Sequence, residues 1–261
     1  MDDLNRAIFK GCEYLLRRQK PSEGFWNDEL EADSTLTSEY LLLRRFLEKT
    51  DPLKEQKAVN YLRDCQLPDG GWNIYYQGPS EISATVKAYL ALKLAGISPQ
   101  EPFMKRARQR VLEMGGIFNA NVFTKITLAL FGQYDWRWIP AIPVEIMLFP
   151  RSFYFNIYEM SYWSRTTLIP LMVITAHRPL YRLPEPYGLK ELYPEPEGKP
   201  NYNYPRNREW LSWENFFLQF DTLLKVYEKS PLIRLRRRAL EEAHRWIREH
   251  MQGEGGLGAI Y

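Results

Sequence analysis

Apolar residues recur at helical spacing through most of this chain. Ile8, Cys12 and Leu15 share one face of a helix predicted over residues 3–20. Val59, Leu62 and Cys65 do the same over 54–66. Between them, Ser34 or Thr35 can cap a helix that runs through Leu41, Leu42 and Phe46 to residue 49, closed by Asp51-Pro52. Ser83 can cap a helix over 85–94 with Gly96 at its end. Further helices are predicted over 102–114, ahead of Gly115-Gly116, and over 121–131, ahead of Gly132. No run alternates at the period of a strand. The predicted class is therefore all-α, with helices of roughly 10–15 residues joined by short Gly/Pro turns in an α/α arrangement.

One motif crosses two of these helix ends. It reads KGCEYLLRRQKPSEGFW at 10–26 and KAVNYLRDCQLPDGGW at 57–72. Both copies hold a basic residue, a small residue, Tyr-Leu, a Gln five residues after the Tyr, and a Gly-containing turn that ends in Trp. A repeat of this kind marks a chain built from stacked units. The Gln can donate its amide hydrogens to orphan carbonyls at the helix end, and the returning Trp can lie flat on it and bury a large apolar surface. The motif reads as a clasp between successive helices. A worn third copy keeps Ala243, Trp246 and Ile247, with Met251 in place of the Gln and Leu257 in place of the Trp.

Two later stretches differ. Pro184, Pro186, Pro194, Pro196, Pro200 and Pro205 deny regular helix between 179 and 206, and interleaved tyrosines argue for a structured irregular loop. At 213–227, Trp213, Phe216, Phe217, Phe220, Leu224 and Tyr227 form one wide helical stripe. Such a stripe either faces a core or lies in a membrane interface. Arg234, Arg236, Arg237 and Arg238 follow; they suit anionic headgroups or a solvated helix face.

Composition narrows the function. A net charge of +3 on 261 residues is too small to argue for nucleic acid, whereas 15% aromatic content fits stacked helix clasps or an aromatic-lined cavity. His177, His244 and His250 have no zinc-like spacing with Cys or carboxylates, so no metal is expected. There is no D-D-x-x-D, no G-x-S-x-G and no P-loop. Hydrolase, kinase and ionising prenyl-transfer chemistry thus have no motif, and no cofactor is expected. Cys12 and Cys65 lie on apolar faces and read as buried thiols. The start MDDLNRAIFK is unlike a signal peptide, and no run approaches the ~20 apolar residues that span a bilayer. The expected location is the cytoplasm or the inner face of a membrane.

The repeated pattern resembles the QW motif of squalene-hopene cyclases and related triterpene cyclases. GGIFNANVFTKITLALFGQYDW at 115–136 is similar to the same family, as is IPAIPVEIMLFPRSFYFNIYEMSYWSRTTLIPLMVITAHRP at 139–179. GGLGAIY at 255–261 resembles a Gly-rich turn entering the cyclase cavity. The resemblance implies an α/α barrel (toroid). Residues 1–30, with the first motif, would pack on a missing catalytic barrel, and 31–261 would form an incomplete non-catalytic barrel. It also implies a linear polyene such as squalene as substrate, and monotopic contact of the stripe at 213–227 with the inner-membrane surface. The family protonates its substrate with an aspartic acid in D-x-D-D, a sequence that does not occur here. The expectation is an N-terminal portion of a cyclase, with no catalytic residue of its own and inactive alone.

Residue by residue, the resemblance makes Trp163, in EMSYWSRTT, a lining residue of the substrate cavity. It makes Glu39, in LTSEYLLL, an acidic residue near that cavity, and Ile260 and Tyr261 part of its wall. Nothing carries over to Lys87. From the residues alone, Trp163 reads as ordinary packing and Glu39 as a surface carboxylate. Two other readings stay open: a standalone isoprenoid-binding barrel, and the non-catalytic subunit of a split cyclase.

Overall fold

The computed structural model describes residues 2–19, 24–26, 32–154, 156–194, 208–209, 211–228, 233–251 and 256–257. Among these are nine α-helices and no strand: α1 (Asp3–Arg18), α2 (Ser34–Phe46), α3 (Pro52–Asp64), α4 (Ile82–Leu94), α5 (Pro102–Glu113), α6 (Val122–Leu130), α7 (Tyr162–His177), α8 (Trp213–Glu228) and α9 (Ile233–His250). The starts follow from capping chemistry. Asp33, Asp51, Asn121 and Ser161 each accept a hydrogen bond from a first-turn amide, and Pro52 fills the first position of α3. The cap of α4 is Glu81, not Ser83. The Ser83 hydroxyl instead accepts the Asn121 amide at 3.0 Å, tying α4 to the start of α6.

The helices pack around two cores. In the first, α2, α3 and α5 surround α4, every residue of which is buried from Ser83 to Leu94. In the second, α7 and α9 close on a 3-10 turn at Val144–Leu148. The loop after α7 is irregular, as its prolines require, but Leu189 and Leu192 are fully buried in the first core. The remainder of the proline stretch, 195–207, lies outside the described residues.

The second motif copy is a clasp with an unexpected division of labour. The Trp72 indole Nε1 donates to the Leu62 carbonyl at 2.8 Å, an orphan acceptor in the last turn of α3. Gln66 Nε2 serves carbonyls beyond its own helix instead: Gly70 across the turn and Phe103 in α5, both at 2.9 Å. Its Oε1 accepts from Arg106 at 3.1 Å. The turn fits closely against α5: Gly70 has φ +92°, and a Cβ there would lie 2.6 Å from the backbone of Arg106.

The first copy repeats the local bonds, Trp26 Nε1 to the Leu15 carbonyl and Gln19 Nε2 to the Gly24 carbonyl. Helix α1 nevertheless buries no residue. Cys12 is exposed, contrary to the reading of a buried thiol, because no described residue covers the apolar face that carries it; Cys65 is half-buried.

Candidate functional site

Helix α4 carries two lysines through an apolar interior. Lys87 Nζ meets Glu39 Oε1 of α2 at 2.7 Å. Lys93 Nζ meets Glu191 Oε1 at 2.5 Å and also donates to the Gly188 carbonyl. Tyr89 donates to the same Glu191 oxygen at 3.0 Å. Burial, and after it the charge of Glu191, pushes the Tyr89 hydroxyl pKa far up. Glu39 is therefore a partly exposed carboxylate paired with a buried ammonium. Reading the sequence missed Lys87 and Lys93 as partners. The signal was available: a helix apolar on all sides apart from two lysines must bury them.

Trp163 stands in the first turn of α7, where the Ser161 hydroxyl caps the Ser164 amide. It is 50% exposed, so its indole is not closed into either core. Neighbouring Tyr162 donates to the Leu257 carbonyl at 3.0 Å. Trp163 and Glu39 sit on different helices, beside different cores. Ile260 and Tyr261 lie outside the described residues. In the worn motif copy, Ala243 is buried in the second core, and Trp246 stacks on His250 with ring centroids 4.0 Å apart.

Helix α8 presents an aromatic face to the outside. Trp213, Phe216, Phe217 and Phe220 are all exposed, and Phe216 and Phe220 stack at 6.3 Å. Exposed Leu223 and Val226 continue the face, while Leu224 and Tyr227 are half-buried where the helix settles on the body. A groove of about 430 Å³ runs beside its first turns, walled by Leu211, Trp213, Phe216 and Gln219. The arginine run of α9 does not act as one patch. Arg236 turns inward to Glu145 at 2.9 Å, Arg237 pairs with Glu241 on its own helix, and Arg234 and Arg238 are exposed.

Beneath the C-terminal half of α8 lies a second cavity, of about 340 Å³. Apolar residues of the run from Ile139 to Val144 form much of its wall, and Arg137, Arg178, Lys225, Arg236, Glu145 and Glu228 bring charge to it. Asp221 of α8 accepts the Ala141 amide at 2.7 Å and holds Lys225 at the same distance. Arg178, left-handed at the C-terminus of α7, reaches Glu228 at 2.5 Å. Burial, then the charge of Glu145, pushes the Tyr227 hydroxyl pKa up.

Paired helices, a fully buried central helix and Gln–Trp turns between neighbours define an α/α toroid protein. Residues 8–261 match the model of the squalene-hopene cyclase N-terminal domain, and the chain belongs to that family. It is 42% identical to the squalene–hopene cyclase of Bradyrhizobium diazoefficiens, over 99% of this chain and 39% of that protein. Identity to the squalene–hopene cyclase of Alicyclobacillus acidocaldarius is 34%, over 98% of this chain and 40% of the relative. The dammaradiene synthase of Dryopteris crassirhizoma is 33% identical, over 99% of this chain and 37% of its own length. The chain thus spans about two fifths of the length of the curated relatives it matches.

Proposed function

We propose that this chain is the non-catalytic barrel portion of a squalene-hopene-cyclase-like enzyme, which folds a linear polyene such as squalene and closes its rings after protonation. The observation that carries this reading is the family match across nearly the whole chain, joined to an exposed aromatic face on α8. No helix among the described residues is long and apolar enough to cross a membrane. An amphipathic helix with Trp and Phe outermost suits shallow insertion instead. In this reading α8 docks on the inner-membrane surface, and the groove beside Trp213 and Phe216 receives an apolar substrate from it. Trp163, half exposed, offers its indole to a passing carbocation, an interaction worth about 2 kcal/mol or more when water is excluded. Glu39, held by Lys87, and Ile260 and Tyr261 would contribute to the substrate cavity of the whole enzyme.

The exposed apolar residues of α1, among them Leu4, Ile8, Phe9 and Leu16, would pack with the first motif against the catalytic barrel. Residues 31–261 would form the barrel itself. The sequence contains no D-x-D-D, so the proton donor belongs to a part of the enzyme outside this chain. The test is to incubate the purified chain with squalene in phospholipid vesicles. The expected outcome is co-sedimentation with the vesicles and no cyclised product. Cyclisation by the chain alone would overturn the assignment of the acid, and failure to bind vesicles would overturn the membrane contact.

A further inference from the structure

Helix α2 has two contrasting sides. Ser34, Ser38, Leu41 and Leu42 are buried, and the two leucines belong to the first core with α3 and α4. Leu36, Tyr40, Leu43 and Leu47 are exposed, Leu43 and Leu47 by more than half. They follow one another at steps of four, three and four residues, with Leu47 as the C-terminal cap. That spacing sets them in one line along the helix. Thr37 and Arg44 border the line on one side and Glu39 on the other.

This line differs in kind from the exposed face of α8. Trp213, Phe216, Phe217 and Phe220 lead a broad aromatic arc, which suits shallow insertion among headgroups. The α2 line is narrow and, apart from Tyr40, aliphatic. A narrow apolar line between polar flanks is the footprint of one helix packed along another. Glu39 on its flank is also already engaged, by the buried Lys87 at 2.7 Å.

The architecture indicates which helix belongs there. In repeat folds each unit packs on its neighbours, and an end unit left in water carries a polar outer face. Helices α3 and α4 take the buried side of α2. Its other side is apolar, so it has the character of an interior surface and not of a finished end. The curated relatives extend well beyond the region that matches this chain, which covers about two fifths of their length.

We propose that the line on α2 is the seam at which the barrel of residues 31–261 is completed, covered by the apolar face of a helix from the part of the enzyme outside this chain. The proposal rests on the reading of the chain as a barrel portion of a cyclase, and the test keeps the two apart.

Two cysteines report on two surfaces. Leu43→Cys puts a thiol on the seam, and the native Cys12 is exposed on α1. The full chain with Leu43→Cys is co-expressed with the part of the Bradyrhizobium diazoefficiens squalene–hopene cyclase that lies outside its match to this chain. Maleimide labelling at each cysteine is followed by peptide mass spectrometry. The expected result is that the Leu43→Cys thiol labels several-fold more slowly in the complex than in the chain alone. Leu43→Glu with Leu47→Glu should weaken the complex several-fold and leave the circular dichroism of the chain unchanged, since both side chains are exposed in it. A complex that protects Cys12 but leaves the Leu43→Cys thiol as reactive as before would overturn the seam and leave the barrel reading standing. Protection of that thiol in the chain alone, rising with its concentration, would overturn the seam in favour of a second copy. Protection by phosphatidylcholine vesicles alone would overturn it in favour of a membrane contact. Failure of the two parts to associate would overturn both the seam and the reading beneath it.

Discussion

The two full motif copies make the same local bonds and end in opposite environments. Both send an indole N–H back to the carbonyl of the leucine in the Tyr-Leu pair, and both bridge the turn with a glutamine amide. Trp26 is 52% exposed, whereas Trp72 is fully buried. The difference is a packed neighbour, α5. Gln66 reaches on to Phe103 and is met by Arg106, both in α5, so the second turn is sealed against a neighbour. The clasp is thus a local shape that any copy adopts, and its contribution to stability comes from what stacks on it. In repeat architectures stability is a sum of unit and interface terms; here the two terms are separated within one chain.

The sharpest way to break this comparison is to remove each indole. Trp72→Ala should cost about 3–5 kcal/mol in urea denaturation, the range for a large buried aromatic. Trp26→Ala should cost less than about 1 kcal/mol in the same chain, because half of its surface already faces water. Equal losses would mean that the clasp bonds, not the stacking, carry the energy. A smaller contrast lies in the glycines, both left-handed. Gly24→Ala meets no described atom within 4 Å and should cost only the backbone term of about 1–2 kcal/mol. Gly70→Ala adds a clash with the backbone of Arg106, worth roughly another 1–3 kcal/mol, and should lower the midpoint further.

The smallest expected effect is in acid. Burial alone would raise the pKa of Asp69, but the Ser80 hydroxyl, the Gly71 amide and Arg110 outweigh it and hold the carboxyl below its ordinary value. Its stabilising contribution is therefore complete above the unfolded pKa, about 3.9, and is lost as pH falls through the lower folded value. Asp69→Asn should flatten the acid limb of the stability–pH curve. The first copy has Ser22 after its proline where the second has Asp69, and Ser22→Ala should leave that limb unchanged.

Periodicity made α1 to α6 legible to within a few residues, because an amphipathic face is written locally; α7, which carries Pro170 inside it, was not predicted. The caps were less so: Glu81 and Ser83 both suit a helix start, and only the approach of Asn121 to Ser83 decides between them. The indole and amide roles in the clasp were exchanged for a similar reason, since the path of the turn sets which donor reaches which carbonyl. Cys12 misled because its face looks like that of Cys65; the pattern shows that a face is apolar, not whether anything covers it. The aromatic stripe of α8 was legible as a stripe, but which part faces outward required the fold: Trp213, Phe216, Phe217 and Phe220 are exposed, while Leu224 and Tyr227 are half-buried. The charged cavity had no sequence signature, because Arg137, Arg178, Lys225 and Arg236 come from four separate segments.

The lysines of α4 carry a consequence for how the domain finds its arrangement. A helix that is apolar on every side has no preferred face, and packing alone would accept it at many rotations. Lys87 and Lys93 stand about 9 Å apart along the axis and about 240° apart around it. Each has its carboxylate in a different partner, Glu39 in α2 and Glu191 in the loop after α7. Turning the helix by one residue would bury an ammonium with no counter-charge, at a cost of several kcal/mol. The two charges work as keys that fit a smooth cylinder into one angular setting, and they fit only once both locks have been built.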